Sequence, residues 1–226
     1  MNLKLKKMFF SGWIGELTFL AGATDVSGIL LFGKAISHYT GNMSNAAVAL
    51  SNGNVKLFGS FLSIILLFFL GSTISGFLFH KENINNIIRV YSILPILFGT
   101  ILLMTFYISR NNTIIFCIYA FYMGVQNAFC LKIKGILIRT THITGYLTDA
   151  AVSLSDVLRG KKEEAWKVAF YLLSILCFFI GGVISAIAIK LMGEYTIVAL
   201  ALSYIGMGLN FKVELVANLD MELLAN

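Results

Sequence analysis

Long apolar stretches constrain this chain more than any other feature of its sequence. The stretches 57–79 and 168–189 carry no charged residue, and each exceeds the roughly 20 apolar residues that an α-helix needs to cross a bilayer. Charged residues make up only 12% of the 226 residues and hydrophobic residues 58%, whereas a soluble domain has about 25% charged residues. We therefore expect an integral membrane protein, with the lipid bilayer as its first partner.

Six stretches qualify or nearly qualify as transmembrane helices, at about 9–32, 57–79, 90–108, 114–133, 168–189 and 195–211. The first follows a basic N-terminal segment and so imitates a secretory signal. Glu16 interrupts its apolar part, however, and apolar residues continue beyond Asp25, so we interpret it as a helix that stays attached. The sequence predicts one all-α membrane domain over residues 1–226.

A polar segment occurs twice between the apolar stretches. HYTGNMSNAAVALS at 38–51 returns as HITGYLTDAAVSLS at 142–155, with eight identities in fourteen positions. The similarity extends to the preceding helices, where FLAGATDVSGILLFG at 19–33 aligns with FYMGVQNAFCLKIKG at 121–135 and pairs Asp25 with Asn127. We predict two internal repeats, one at about 9–108 and the other at about 114–211.

The duplicated segments are too polar to span a membrane, but their apolar residues recur at helical spacing. The residues predicted to form the apolar faces are Met43, Ala46, Ala47 and Leu50 in the first segment and Leu147, Ala150, Ala151 and Leu154 in the second. We predict two short amphipathic helices that do not cross the bilayer. Thr40 and Thr144 are the expected N-caps, and Gly41 and Gly145 are expected to allow a tight turn before each helix.

The distribution of basic residues indicates how the repeats lie in the membrane. If the short helices do not cross, 13 of the 17 basic residues fall on the side of the N-terminus, and only Lys34, Lys56, Arg110 and Lys190 fall on the other. If they cross, the division is 10 to 7. Basic residues concentrate on the cytoplasmic side, which favours six passes with both termini in the cytoplasm. Three passes per repeat then give the repeats opposite orientations, a plan common among secondary transporters.

Polar residues at membrane depth are the candidate functional residues. Asp25 is predicted either to carry a coupling proton or cation or to make a structural hydrogen bond to Thr24, Asn127 or the N-terminus of a short helix. His38 and His142 are interpreted either as proton relays or as side chains that brace the loops. The N-termini of the short helices present N–H groups that suit a small polar or anionic solute. The predicted substrate or ion pathway comprises Asp25, His38, Thr40, Gly41, Asn42, Gln126, Asn127, His142, Thr144 and Gly145.

No catalytic, cofactor or metal motif accompanies these residues. The sequence lacks HExxH, GxSxG and a glycine-rich phosphate loop, so we predict no enzyme activity, cofactor or metal; an intramembrane enzyme using Asp25, Asp149 and a histidine is the alternative. The net charge of +6 is assigned to the cytoplasmic bias and not to nucleic-acid binding, because no basic nucleic-acid-binding module is visible. Cys117, Cys130 and Cys177 lack disulfide or metal spacing and are expected to be packing residues.

Three stretches resemble a known group of membrane proteins. GATDVSGILLFGKAISHYTGN at 22–42, GVQN at 124–127 and THITGYLTDAA at 141–151 are similar to the YoaK-like family of bacterial multi-pass membrane proteins, a domain-of-unknown-function group. The resemblance runs from about residue 15 to residue 207. Its most specific positions are Asp25, His38, Thr40, Gly41, Asn42, Thr144, Gly145, Leu147 and Thr148. It implies a bacterial cell (inner) membrane location and supports the repeated organisation, but it implies no activity.

The sequence supports two hypotheses for the function. One is a small secondary transporter or permease for an unidentified small polar or anionic solute, acting as a homo-oligomer because six helices enclose little volume. The other is a non-transporting scaffold, assembly factor or sensor. A transporter predicts a water-accessible cavity lined by Asp25, Asn127 and the N-termini of the short helices, whereas a scaffold predicts that these groups are buried and hydrogen-bonded to one another.

Overall fold

Eight helices dominate the computed structural model, which describes the backbone of residues 3–79, 84–129, 131–133 and 136–218 and the side chains of 12–79, 90–129 and 137–211. In chain order they are α1 (Leu3–Phe32), α2 (Tyr39–Ser51), α3 (Val55–Leu78), α4 (Ile84–Met104), α5 (Asn112–Asn127), α6 (Ile143–Leu158), α7 (Ala165–Met192) and α8 (Thr196–Asn218). A π-helical turn, Thr105–Ser109, continues α4, and 3-10 turns at Lys162–Glu164 and Gly193–Tyr195 precede α7 and α8. An antiparallel hairpin of β1 (Leu131–Ile133) and β2 (Ile136–Ile138) lies between α5 and α6. The described residues are all-α apart from this hairpin.

Four helical stretches of the described chain are long and apolar enough to cross a membrane: Gly12–Phe32, Val55–Leu78, Val90–Ser109 and Lys162–Phe211. The last of them contains α7 and the part of α8 up to Phe211. The outer faces of α3 and α7 carry large exposed side chains, and those of Phe69, Phe77 and Phe179 are 68%, 77% and 65% exposed. Such continuous apolar surfaces are typical of membrane contact. The helices therefore indicate a membrane protein.

The predicted fourth span is wrong in its last six residues. The sequence predicts a helix over about 114–133, but α5 ends at Asn127 and β1 begins at Leu131. The amide oxygen of Asn127 accepts the backbone N–H of Thr141 at 3.2 Å, so this side chain holds the chain that returns from the hairpin. With 16 residues, α5 is shorter than the roughly 20 that a straight span requires.

Glycine and asparagine residues set the ends of several helices. α1 ends where Gly33 adopts a left-handed conformation with φ of 72°, which favours glycine. Asn54 precedes α3, and its Oδ1 accepts the backbone N–H of Leu57 at 3.0 Å. Asn111 caps α5 in the same way through two backbone N–H groups. These caps satisfy N–H groups that the first turn of a helix leaves without a partner.

Six of the helices pack in three pairs, α1 with α7, α3 with α5, and α4 with α8. Glycines bring the backbones of α1 and α7 into contact. A Cβ atom on Gly22 would lie 2.0 Å from the carbonyl oxygen of Phe178, and one on Gly181 would lie 1.9 Å from that of Phe19. Only glycine permits so close an approach between helices. The short helices pack on their neighbours, α2 on α3 and α6 on α7.

Aromatic side chains fill much of the core between these pairs. One cluster contains Trp13, Phe79, Tyr91, Phe129 and Phe211, and a second contains Phe98, Tyr119, Tyr122 and Tyr204. Within the second cluster the rings of Tyr122 and Tyr204 meet edge to face, with centroids 5.3 Å apart. Tyr204 brings a hydroxyl group into this apolar core, next to the polar residues described below.

Candidate functional site

The first half of the candidate site is centred on Asp25 in α1, whose side chain is only 2% exposed. After α1 the chain folds back through residues 33–38, which we call the first linker. Oδ1 of Asp25 accepts the backbone N–H of Ser37 at 2.6 Å, and Oδ2 lies 3.9 Å from Nδ1 of His38. The carboxylate therefore holds the linker immediately before α2 and places negative charge near the N-terminus of that helix, where the helix dipole favours it.

Close packing keeps the first linker against α1. A Cβ atom on Gly28 would lie 2.3 Å from Cγ1 of Ile36, whose side chain is fully buried. Asn42 in the first turn of α2 donates from Nδ2 to the carbonyl oxygen of Ala35 at 2.9 Å. The linker thus has one partner in α1 and another in the helix that it introduces.

Lys34 connects the first linker to α3 and α5. Its Nζ donates to Oγ of Ser60 at 2.5 Å and lies 5.2 Å and 5.8 Å from the ring centroids of Phe61 and Phe116. Partial burial lowers the pKa of the Lys34 ammonium. The faces of the two rings oppose this effect, because they attract the charged form.

The second half of the site lies at the end of α5. The uncharged amide of Asn127 binds the N–H of Thr141, as described above, and so holds residues 128–142, the second linker, just before α6. Gly145 makes room for the imidazole of His142, because a Cβ atom there would lie 2.3 Å from Cε1 of that ring. The two halves therefore use a carboxylate and an amide for the same task.

Gln126 connects the two halves of the site. Its Nε2 donates to the carbonyl oxygen of Leu17 and to Oγ1 of Thr140, both at 2.9 Å. Its Oε1 accepts the hydroxyl of Tyr204 at 3.2 Å, and that hydroxyl also lies 3.2 Å from Oγ1 of Thr24. Thr24 is next to the first half of the site in α1. A chain of buried hydrogen-bonding side chains thus runs from one half to the other.

The structure buries four of the ten predicted site residues. Asp25, Asn42, Gln126 and Asn127 are each no more than 9% exposed. The exposed residues are His38, Thr40, Gly41, His142 and Thr144, and Gly145 is half-buried. The four buried residues therefore form the core of the site, and the two predicted histidines lie at its surface.

The predicted N-caps and turn glycines of the short helices are wrong. α2 begins at Tyr39, so His38 occupies the N-cap position, and both Thr40 and Gly41 lie inside the first turn. α6 shows the same arrangement, with His142 at the N-cap position and Thr144 and Gly145 inside the helix. Both helices start earlier than predicted because the side chains of Asp25 and Asn127 fix the backbone just before them.

The predicted apolar faces of the short helices are confirmed at Ala46 and Ala150, which are buried, and wrong at their other positions. The buried residues are Asn42, Ala46 and Ala49 in α2 and Tyr146, Ala150 and Ser153 in α6. Met43, Leu50, Leu147 and Leu154 are instead 46–61% exposed. Small side chains allow close packing on α3 and α7, whereas acyl chains contact large apolar side chains as favourably as a protein core does.

Neither of the two best-defined cavities is lined by a predicted site residue. One lies between α3, α4 and α5, and the other lies beside Arg110 and Glu194. Among the described residues there is also no group of three or more His, Cys, Asp or Glu side chains that could hold a metal ion. Cys117 and Cys177 are half-buried free thiols, and Cys130 lies outside the described residues. The polar centre is therefore a hydrogen-bonded core and lines neither cavity.

The comparison with known families gives one match. The model of a family described as a protein of unknown function, DUF1275, matches residues 16–209. The chain belongs to the DUF1275 family. No curated protein and no solved structure matches it.

The DUF1275 match spans both linkers and every predicted site residue, in agreement with the resemblance to an uncharacterised family. Within the described part of this DUF1275 chain, Asp25 is the only buried acidic side chain. A buried carboxylate with one backbone donor and a nearby imidazole is able to exchange a proton or to attract a cation. This property is the main chemical capacity of the site.

Some residues of the site in this chain have no signal in the sequence. Thr140 and Tyr204 complete the buried network, but each is an ordinary residue within or beside an apolar stretch. Tyr39 was missed too, and its buried hydroxyl has no hydrogen-bond partner among the described residues. Thr24 is one of the partners predicted for a structural hydrogen bond of Asp25, but its Oγ1 lies 3.2 Å from the hydroxyl of Tyr204, and Asp25 binds the N–H of Ser37.

Proposed function

We propose that this protein is a small secondary transporter of the bacterial cell membrane, with six transmembrane helices, two short re-entrant helices and cytoplasmic termini. Its solute is a small polar or anionic molecule. The observation that carries the proposal is the pair of interrupted helices, α1–linker–α2 and α5–linker–α6, each with a buried polar side chain that binds the linker. Secondary transporters commonly place discontinuous helices around their central site.

The contacts between the helices support two inverted repeats, at about 9–108 and 114–211. α1 pairs with α7 as α5 pairs with α3, and α4 pairs with its own counterpart α8. The Gly22–Phe178 contact has a counterpart in the other pair, where a Cβ atom on Gly124 would lie 2.1 Å from the carbonyl oxygen of Phe68. Equivalent positions in the two halves thus make equivalent contacts, as a pseudo-two-fold axis requires.

Asp25 is the coupling residue in this proposal. Its counterpart Asn127 is neutral, so binding a proton or a cation changes the charge of one half only. His38 is 69% exposed and 3.9 Å from the carboxylate, which gives the buried acid a route to water. Protonation weakens the charge-assisted bond from the N–H of Ser37 and so loosens the first linker. The solute then reaches the N-termini of α2 and α6.

A stability screen tests the proposal. Purified protein is heated with a panel of polar and anionic solutes, and Asp25→Asn is screened in parallel because asparagine keeps an acceptor for the linker. Asp149→Asn is the matched control, since it removes an exposed acid. A transported solute is expected to raise the Tm of the wild type and of the control but to have a smaller effect on Asp25→Asn. The proposal fails if no solute acts, or if Asp25→Asn responds as the wild type does.

Cysteine labelling tests the inverted arrangement separately. In a background without native cysteines, Lys56→Cys and Lys161→Cys are treated with a membrane-impermeant maleimide in intact cells and in inverted vesicles. We expect Lys56→Cys to react from outside and Lys161→Cys from the cytoplasmic side. Lys56 follows α2 and Lys161 follows α6, and in the proposed arrangement these equivalent positions of the two repeats lie on opposite sides of the membrane. Labelling of both from the same side would exclude opposite orientations.

A non-transporting scaffold, assembly factor or sensor is the second candidate. The observation that favours it is the buried, mutually hydrogen-bonded polar centre, which lines neither described cavity. This candidate predicts that no solute of the panel crosses vesicles containing the protein, whatever residue occupies position 25. Flux in vesicles that depends on Asp25 would exclude it. We propose a homo-oligomer in both cases, and the mass of the detergent-solubilised protein tests that.

A further inference from the structure

An apolar crevice opens between α3, α4 and α5. Its volume is about 360 Å³, within the range of pockets that hold small molecules. The floor is the stacked pair of Phe98 and Tyr122, whose rings are within 4° of parallel with centroids 3.7 Å apart. The walls are formed by Leu67, Leu94, Leu97, Ile101, Ile118 and Phe121. The crevice is not part of the candidate site described above.

The crevice lies near the middle of two membrane-crossing stretches. Leu67 is close to the centre of Val55–Leu78, and Phe98 is close to the centre of Val90–Ser109. At the rim, Leu97 and Ile101 are 49% and 45% exposed, so the crevice opens sideways from the bundle. At this depth the surrounding medium is the hydrocarbon of the bilayer.

The chemistry of the walls excludes water and polar solutes. No charged or amide side chain lines the crevice, and the hydroxyl of Tyr122 is buried in the protein and not exposed in the crevice. A cavity without polar partners does not hold ordered water. An empty crevice of this size would also leave its walls without dispersion contacts. A flexible hydrocarbon chain needs no polar partner and supplies dispersion contacts to the walls.

We propose that the crevice binds one acyl chain of a bilayer phospholipid. The chain enters from the hydrocarbon core and fills the space between α4 and α5, above the stacked aromatic floor. α5 is short for a spanning helix, and the acyl chain supplies apolar contacts along its outer side. The binding does not depend on whether the protein transports a solute.

Lipid retention tests the proposal with a variant that fills the crevice. Cys117 lies on the wall in α5, and Cys117→Phe adds an aromatic ring there. Leu173→Phe is the matched control, because Leu173 is 60% exposed on α7, outside the crevice. Protein loaded with dioleoylphosphatidylcholine and washed in detergent is weighed by native mass spectrometry. We expect the wild type and Leu173→Phe to retain one phospholipid more per chain than Cys117→Phe.

Thiol reactivity in unsubstituted protein gives a second test, which holds even where Cys117→Phe does not fold. Added dioleoylphosphatidylcholine is expected to slow alkylation of Cys117 by N-ethylmaleimide at least tenfold more than that of Cys177, the half-buried thiol outside the crevice. Equal slowing of both thiols, or equal lipid retention by wild type and Cys117→Phe, would overturn the proposal. The proposal would also fail if sodium oleate protected Cys117 and dioleoylphosphatidylcholine did not. It would fail as well if Cys117→Phe dissociated a dimer without losing lipid.

Discussion

Gln126 is the residue on which the most buried hydrogen bonds of the site converge. Its amide joins α1, α8 and the second linker through Leu17, Tyr204 and Thr140. In a bundle surrounded by hydrocarbon, these groups have no water to replace a lost partner. The amide therefore stabilises the contact between the two halves as well as its own position.

Gln126→Leu tests this role. The substitution removes three hydrogen bonds and leaves the hydroxyls of Tyr204 and Thr140 without their amide partner, so we expect it to lower the free energy of unfolding by about 2–3 kcal/mol. Tyr204→Phe removes the hydroxyl that donates to Oε1 of Gln126 and contacts Oγ1 of Thr24, and it is expected to cost about half as much. Denaturant titration in mixed micelles measures both. A Gln126→Leu protein as stable as the wild type would contradict the assignment.

The sequence identifies some of these residues but not their partners. Asp25, Gln126 and Asn127 are conspicuous because polar side chains interrupt apolar stretches. Leu17 lies 109 positions from Gln126, and no local pattern records that its carbonyl oxygen accepts a second hydrogen bond. The same limit applies to Tyr204, whose hydroxyl becomes significant only when α8 packs beside α1. Contacts between distant helices depend on how the helices pack, and no single segment of the sequence predicts that packing.

The first linker is the element on which the site depends most. It stays on α1 because Ile36 packs over Gly28 and because the carboxylate of Asp25 binds the linker backbone. Steric and polar contacts therefore act together over six residues, 33–38. Displacement of the linker would move the start of α2 away from the acid.

Gly28→Ala is predicted to displace the first linker. The added methyl group would meet Ile36 at 2.3 Å and the carbonyl oxygen of Lys34 at 3.1 Å, so we expect a loss of about 1–3 kcal/mol in the free energy of unfolding. Gly12→Ala is the control in the same helix, since nothing lies within 4 Å of its Cβ position. Thermal unfolding in detergent compares them. Equal Tm values for the two variants would show that the linker does not need this contact.

Apolar runs predicted five helices well, and the errors at the level of elements have physical causes. The predicted fourth span includes LKI at 131–133, although the alternating residues of LKIKGILI at 131–138 have the period of a strand, which is the pattern that β1 and β2 adopt. The predicted apolar faces of the short helices contain large residues that the structure leaves exposed. In a bilayer, hydrocarbon replaces the core as a partner for such residues, and small residues take the inner face.

At the scale of the whole molecule, glycine contacts determine how closely the long helix pairs approach. In the α3–α5 pair, a Cβ atom on Gly71 would lie 2.1 Å from the carbonyl oxygen of Phe121. Helix association within a bilayer relies on such close packing, since lipid solvates apolar side chains as well as a neighbouring helix does. The pairs are therefore the part of the molecule most sensitive to added volume.

Gly71→Ala and Gly76→Ala are predicted to have opposite effects although they lie in the same helix. Gly71→Ala forces the α3 and α5 backbones apart, with an expected loss of about 1–3 kcal/mol. Gly76 has nothing within 4 Å of its Cβ position, so alanine there is expected to stabilise the helix by up to about 1 kcal/mol. Thermal unfolding followed by size-exclusion chromatography measures both. Similar destabilisation by the two substitutions would disprove the packing argument.

The two linkers differ in length, since residues 33–38 join α1 to α2 whereas residues 128–142, with the hairpin, join α5 to α6. Because these connections are unequal, a two-fold rotation that exchanges the two halves does not superpose the molecule on itself. In the proposed transport cycle, the states open to the two sides of the membrane would therefore differ in energy. The proposed transporter would then have a preferred resting side before any ligand or gradient acts on it.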